Sequence, residues 1–468
     1  MADRPNLLLL FAEQHRGDCL SSAGHPVLVT PNMDAIGGSG TRFTNAYTTC
    51  PVCVAARRSL ISGQFPRTHR ALSNVGTEWE CHETLAETLR DAGYQTGWIG
   101  RSMHQSPVRK RFGFEEMVMC DHRSDDDYDE FLRRNMPEGG AGYWGTGVMH
   151  NDWTARPFHL AEELHHTNWT LHEAQRFLDR RDPDRPFCMV VSFLASHPPL
   201  VPPAFYLDRY LRTGVPDPVY GDWVTPPENG GIGLGVNSRH VDLRGEALLS
   251  ARAGYYGLIN HMDDQIRRLL NGVLGGVDMK NTVVAYTADH GEMLGDHCLW
   301  AKSVPYQGSV HVPLLIQAPA SFGCRRGQVL DHAVCLEDIM PTFLDFADVP
   351  IPATVEGQSL LPALRGDEPK QRDYLHIECA PLHHTLTDGV EKYIWFAKDG
   401  REQFFRLADD PTECRDLVSK PDEQERLETW RGRLVRELTG RPEGFTDGDR
   451  LISGRPYPGA LAAPTDAG

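Results

Sequence analysis

Short apolar runs alternate with stretches of helical spacing along the first two thirds of the chain, the pattern of a mostly parallel sheet covered by helices. Leu7 to Phe11 is a continuous apolar run and predicts a buried strand. Glu83 to Ala92 has helical spacing and stops at Gly93, and Thr96 to Ile99 predicts the next strand. The unit recurs as helix Leu171 to Leu178 with strand Phe187 to Leu194, and as a long helix Glu246 to Leu274 with strand Thr282 to Thr287. A strand over Val312 to Gln317 and a helix over Glu337 to Phe346 complete the series. The expected fold class is α/β, a large mostly parallel sheet flanked by helices, over residues 1–366.

After Gly366 the pattern changes. Tyr374 to Glu378, Tyr393 to Phe396 and Gln403 to Arg406 predict strands, Lys398-Asp399-Gly400 a hairpin turn, and Asp422 to Leu438 a closing helix. A smaller C-terminal antiparallel sheet plus helix is expected over 367–445, with a loose Pro/Gly/Ala tail over 446–468. Two stretches with little periodicity, 120–161 and 216–239, predict loops that face a substrate. The first carries His150, Asn151, Asp152, Trp153 and Arg156, with His165 just beyond it. Trp153 beside polar neighbours suits a sugar ring.

Charge narrows the partners. Lys and Arg number 47 against 64 Asp and Glu, a net charge of -17, which repels a polyphosphate and argues against nucleic acid. The longest apolar run, Leu7 to Ala12, is far short of the roughly 20 residues of a membrane helix, and Asp3 stands where a signal peptide carries positive charge. Eleven cysteines without CxxC or zinc spacing read as mostly reduced thiols. A cytoplasmic protein with no membrane partner is expected, and a homo-oligomer stays open.

Ligands in open α/β sheets gather beyond the carboxyl ends of the strands. Glu13, Gln14 and Asp18 follow the first apolar run, His197 the third strand, and Asp289 and His290 the fourth. Three strand ends delivering oxygen and imidazole donors to one edge predict a divalent cation. The segment from Cys50 to Gly63 adds a second signal. With a helix beginning at Cys53, Arg57 lies one turn away, and the helix N-terminus and the guanidinium both favour an anion and some thiolate character.

These residues stand in motifs. Arg4-Pro-Asn-Leu-Leu-Leu-Leu, Thr30-Pro-Asn-Met-Asp34, Cys53-x-Ala-x-Arg57 with Ser62-Gly63, Thr287-Ala-Asp-His-Gly-Glu-Met-Leu-Gly-Asp-His297 through Lys302, and Gly400-Arg-Glu-Gln-Phe-Phe-Arg-Leu follow one another to about Leu417. Together they resemble the formylglycine-dependent sulfatase family of the alkaline phosphatase superfamily, which includes arylsulfatases and is close to phosphonate monoester hydrolases. The resemblance implies that Cys53 is oxidised to formylglycine by a maturase. One hydroxyl of its hydrate attacks sulfur and the other later expels sulfate. It further implies a metal set of Glu13, Gln14, Asp289, His290 and the Cys53 oxygen, with Ca²⁺ expected and Mn²⁺ the alternative. Arg57 would hold the diol, His104 act on it, His197 serve the leaving group, and Lys302 and Arg101 grip the sulfate.

The chain departs from the family pattern at several positions. Glu13 replaces the usual Asp, and Ala55 the common Pro, which maturases other than the commonest aerobic formylglycine-generating enzyme tolerate. Gly100-Arg101-Ser-Met-His104 has Arg for Lys and one extra residue. Gln307 and His311 stand where acidic and basic residues are common, which leaves the substrate contacts there open. The expected activity is hydrolysis of a small aryl or carbohydrate sulfate ester. A phosphonate monoester or phosphodiester hydrolase is the alternative, and an unmodified anion-binding protein is the alternative of another class.

Overall fold

A computed structural model describes residues 4–75, 78–121, 126–231, 235–273, 277–368 and 372–461, without the side chains of 272, 273, 277 and 278. In chain order the strands are β1 (Asn6–Ala12), β2 (Thr41–Phe43), β3 (Ala46–Tyr47), β4 (Gln95–Arg101), β5 (Glu116–Cys120), β6 (Phe187–Phe193) and β7 (Thr282–Ala288). There follow β8 (Leu314–Gln317), β9 (Gln328–Leu330), β10 (Val334–Cys335), β11 (Leu375–Cys379), β12 (His383–Thr387), β13 (Glu391–Phe396) and β14 (Glu402–Arg406).

Eight of them form one sheet in the order β5, β4, β6, β1, β7, β8, β2, β9. Its centre is parallel: Leu8 of β1 pairs with Met189 of β6 on one side and Val284 of β7 on the other. Leu7 to Ala12 are 0% exposed, because helices cover both faces, and that is why the run shows no alternation. Each fully buried Leu contributes roughly 1.5–3 kcal/mol, so the register that places Glu13 at the sheet's carboxyl edge is held by the core itself.

Several expectations are corrected here. The strand expected over Val312 to Gln317 is Leu314–Gln317 and runs antiparallel to β7. The long helix ends at Arg268 and continues as a π turn over Leu269–Val273, while residue 274 lies outside the described residues. β12 has no apolar alternation to announce it, yet all five residues of His383–Thr387 are buried, as they form an inner strand of the C-terminal sheet.

That sheet is antiparallel in the order β11, β12, β13, β14. The helix Gln424–Leu438 lays Leu427, Trp430, Leu434 and Leu438 on Leu386, Tyr393, Trp395 and Phe404. The tail is not loose as far as Leu461. Tyr457 packs into the same core and donates to Glu378 (3.1 Å), and Ala460 bridges Ala71.

Histidines buried away from the sheet edge set a pH dependence. Burial holds His165 and His69 neutral, each down to about 3, with Arg58 adding to the shift at His69. The unfolded chain binds protons near 6.5 and the folded chain does not, so stability is full above pH 6.5 and falls as pH drops toward 3. The expected loss is about 1.4 kcal/mol per pH unit per histidine. Urea midpoints measured from pH 7 to 5 should fall, and His69→Gln should flatten the slope.

Candidate active site

The carboxyl ends of β1, β6 and β7 converge. Glu13 extends the ladder by donating its N–H to Phe193, and Gln14 turns the chain with φ 65°. Asp289 anchors this corner: its Oδ1 accepts from the backbone N–H of Gln14 and of His290, both at 2.9 Å. A helix does begin at Cys53, running Cys53–Ser62 with every residue buried, and Gly63 closes it at φ 64°. Sγ of Cys53 lies 3.2 Å from Nε2 of His290.

Arg57 is fully buried and threads the site together. It donates from Nε to Asp289 (3.2 Å) and from NH1 to the Ser102 carbonyl (3.0 Å) and Ser192 Oγ (3.2 Å). Its NH2 lies 3.1 Å from Asp289 and 3.8 Å from Glu13. On the other side Lys302 donates to Oε1 of Gln14 (2.5 Å) and to Nε2 of His197 (2.8 Å). An ammonium can only donate, so Nε2 of His197 accepts and its Nδ1–H points to the Pro198 carbonyl at 2.5 Å.

Burial and charge then set protonation. Burial pushes the Cys53 thiol up to about 12, against the pull of Lys302, the largest opposing influence. The thiolate expected from the Arg57 spacing is therefore absent, since desolvation outweighs a guanidinium already taken up by carboxylates. Burial, and then Lys302, hold His197 well below the usual imidazole range, and burial brings His290 to about 4. His104 falls to about 3 through burial and then Arg101. Burial alone would raise Glu13, but Arg101 leads the charges that carry it well below the usual carboxylate range.

The sulfate grip expected of Arg101 is corrected: its guanidinium presents no free fork to an anion. It is 1% exposed and committed to Glu13 (Nε to Oε2, 2.5 Å) and to the carbonyl and carboxylate of Asp121 (2.7 and 3.3 Å). The longer Glu13 side chain reaches this cation, and His104 stands 3.6 Å from its other oxygen. Asp18 is also corrected: its half-exposed carboxylate pairs with Arg16 at 2.7 Å and is not among the clustered donors of the corner. Gln307 accepts from Lys392 (2.9 Å), while His311 packs on Gly17 and bonds the Thr44 carbonyl.

Glu292 and Tyr255 were not foreseen, and His150 of the first loop meets a catalytic candidate. Glu292 bonds the Gln14 amide nitrogen and accepts from Leu294 and Ala301, orienting Gln14 with its oxygen toward Lys302. Tyr255 donates to the Gln14 carbonyl at 2.7 Å. His150 stacks on His197 with ring centres 4.7 Å apart. Glu292 lies three residues after Asp289, so its signal was present within the motif. Tyr255 sits inside a long helix with no local mark.

Both irregular loops reach the site. A pocket beside Gln14 is lined by Asn151, Asp152 and Trp153 from the first and Asn237 to Arg239 from the second, with Tyr255 and Trp300 behind. His165 is not among them. It caps the helix His166–Arg180 and packs on His166 and His261.

The donor set fits a divalent cation. Donor atoms of Cys53, Asp289 and His290 lie within 4.8 Å of one another, as do those of Glu13, Cys53 and His197. The Arg57 and Lys302 cations already stand against the oxygens of Asp289, Glu13 and Gln14, the atoms that a metal would attract. Four carboxylates, Glu13, Asp121, Asp289 and Glu292, face three cations, Arg57, Arg101 and Lys302, so only with a dication does the site gain excess positive charge for an anionic substrate.

Comparison with known proteins follows the same line. A family model described as Sulfatase matches residues 5–349, and one described as N-sulphoglucosamine sulphohydrolase, C-terminal, matches 295–439. An arylsulfatase of Clostridium perfringens (strain 13 / Type A) is 36% identical over 97% of this chain and 98% of its own. An N-acetylglucosamine-6-O-sulfatase of Bacteroides thetaiotaomicron is 25% identical over 90% and 83%. Among solved structures, the phosphonate monoester hydrolase of Agrobacterium radiobacter superposes with a TM-score of 0.81 at 25% identity, covering 97% of this chain and 100% of that one.

Proposed function

Because the chain belongs to the sulfatase family and is a sulfuric ester hydrolase, we propose that Cys53, converted to formylglycine, is its nucleophile toward a small aryl or carbohydrate sulfate. The observation that carries this is the setting of Cys53: at a helix start, 3.2 Å from His290, among Glu13, Asp289, Arg57 and Lys302. A thiol held near 12 is a weak nucleophile at neutral pH, whereas an aldehyde hydrate does not depend on that ionisation. Residues 53–55 are at most 5% exposed, so the maturase acts before the chain closes over them.

Gln14, Asp289, His290, Glu13 and the oxygen of the modified Cys53 would hold the metal. A divalent cation in that place acidifies a hydroxyl and offsets sulfate charge. Mainly oxygen donors favour Ca²⁺, with Mn²⁺ as the alternative. Arg57 orients the nucleophile from one turn along the helix. Arg101 acts as a positioning residue that holds Glu13, and His104 borders the same carboxylate. Lys302 binds the sulfate. A sulfate oxygen that draws Lys302 off His197 frees the Nε2 lone pair and removes a cation that disfavours its protonation, so Nε2 can take up a proton from solvent and pass it to the leaving group.

The pocket's Trp153, Asn151 and Asn237 offer an aromatic face and amides for a single ring. Within a net charge of -17, a polyanion meets repulsion at every additional charge. Free sulfated mono- or oligosaccharides and aryl sulfates are therefore expected to outrun polymers. Salt should help polymers more, since screening acts over about 10 Å at 0.1 M. The kcat/KM of one sulfated unit, free and within its polymer, checks this across ionic strength. Faster polymer turnover at low salt contradicts it.

A second reading, phosphonate or phosphate ester hydrolysis, draws on the superposition with the Agrobacterium enzyme. The test is a panel of sulfate, phosphate and phosphonate esters at matched metal. The highest kcat/KM on a sulfate supports the first reading, and the highest on a phosphonate the second. The eleven free thiols, eight of them buried, support a reducing compartment, the cytoplasm, as the place of action.

A further inference from the structure

The C-terminal sheet carries a donor cluster that sulfate ester hydrolysis leaves unused. His376 and Glu378 are two apart on β11, so their side chains leave the same face. His384 on β12 stands directly opposite Glu378 in the antiparallel ladder. Nε2 of His376 lies 3.1 Å from Nδ1 of His384, and that nitrogen lies 3.8 Å from Oε2 of Glu378. All three donor atoms fall within 4.8 Å of one another. Ligands about 2.1 Å from a tetrahedral ion stand roughly 3.4 Å apart, so the triangle needs only a small closing movement.

The surroundings favour a cation. Glu378 and His384 are buried, while His376 and Glu378 border a cleft lined also by Arg67, Tyr374 and Glu437, which gives a path of entry. Four carboxylates, Glu356, Glu378, Glu437 and Glu443, share two guanidiniums, Arg67 and Arg441, while the third guanidinium at the cleft, Arg372, is taken up by Asp338. Glu437 lies 3.5 Å from Nδ1 of His376. It can hold a hydrogen on that nitrogen and leave Nε2 free to ligate, the usual outer support of a ligating histidine.

We propose that His376, Glu378 and His384 form a second metal site for a zinc-class dication, with water in the fourth position toward the cleft. Two imidazoles and one carboxylate suit zinc better than calcium, in contrast to the oxygen-rich corner around Cys53. The ion takes the place of the hydrogen shared by the two histidines. Arg441 donates to Oε1 of Glu378 at 3.1 Å, to Oε2 at 2.7 Å and to Glu443 at 2.6 Å, and Tyr457 donates to Oε2 at 3.1 Å, so the ion shares that oxygen with both donors. The Glu378 N–H donates to the Thr49 carbonyl at 2.8 Å, and Cys379 packs with Cys50. The site would therefore tie β11 to the segment that leads into Cys53.

The experiment uses full-length Cys53→Ala protein, so that no thiol or formylglycine at position 53 can hold zinc. It is stripped with chelator, reloaded with Ca²⁺ and titrated with Zn²⁺ by calorimetry. One equivalent of zinc is expected, with a rise of several degrees in the melting temperature. Co²⁺ in its place should show the strong visible bands of a four-coordinate ion. His376→Ala, made at the cleft edge, should lose all three effects while keeping the metal-free melting temperature. In the otherwise native enzyme it should keep sulfatase activity. Glu378→Gln should weaken zinc at least tenfold. Absence of the equivalent in the parent protein, or unchanged zinc binding in folded His376→Ala, would overturn the site.

Discussion

Replacing Cys53 with alanine is expected to lower sulfatase turnover by several orders of magnitude, on the order of 10⁴ or more, because the nucleophile is then missing outright. The fold should survive. The change removes one buried sulfur at a helix start and costs on the order of 1 kcal/mol, while Arg57, Asp289 and Glu13 keep their pairings. Cys50 is the control. It packs beside Cys379 in a small apolar cluster and is raised by burial, so Cys50→Ala should leave turnover within a fewfold. Cys53→Ser offers a hydroxyl without the second one that expels sulfate, and multiple turnovers should stop. A dead Cys50→Ala with a healthy Cys53→Ala would reverse the assignment.

Removal of the divalent cation should have an effect of similar size. Without it Lys302 stays on Gln14 and His197, and Arg57 on Asp289, which leaves less positive charge for the substrate. Chelation is expected to reduce turnover at least 10³-fold, since the cation both acidifies the nucleophile and offsets anionic charge. Ca²⁺ should restore activity, and Mn²⁺ in part. Asp289→Ala should not be rescued by either ion, whereas Glu13→Asp should keep metal binding and Glu13→Ala should not. Dialysis with elemental analysis reads binding apart from rate. Restoration by Zn²⁺ alone, or full activity in protein free of divalent metal, would contradict the proposed donor set.

The parallel core was legible because burial on both faces erases alternation, and Leu7 to Ala12 show it directly. Donors placed just after apolar runs, such as Asp289 and His290, were legible for the same reason: the core sets the register and the next residue meets the edge. β12 was not, since a polar run such as His383–Thr387 is buried only by partners distant in sequence. Arg101 was misread because its role depends on Glu13, 88 residues away. The Cys53 thiol was misread because spacing reports neighbours and not solvent exclusion. Tyr255 acts on Gln14 through a bond that no local pattern marks, whereas Glu292 stood within the Asp289 motif.

The central claim is that an oxidised Cys53 performs the chemistry, and intact-mass spectrometry of active enzyme tests it most directly. Conversion to formylglycine lowers the mass by about 18 Da, and the loss should map to the peptide holding Cys53, react with hydrazides and scale with specific activity across preparations. Fully active protein whose Cys53 peptide retains the unmodified thiol mass would contradict the account.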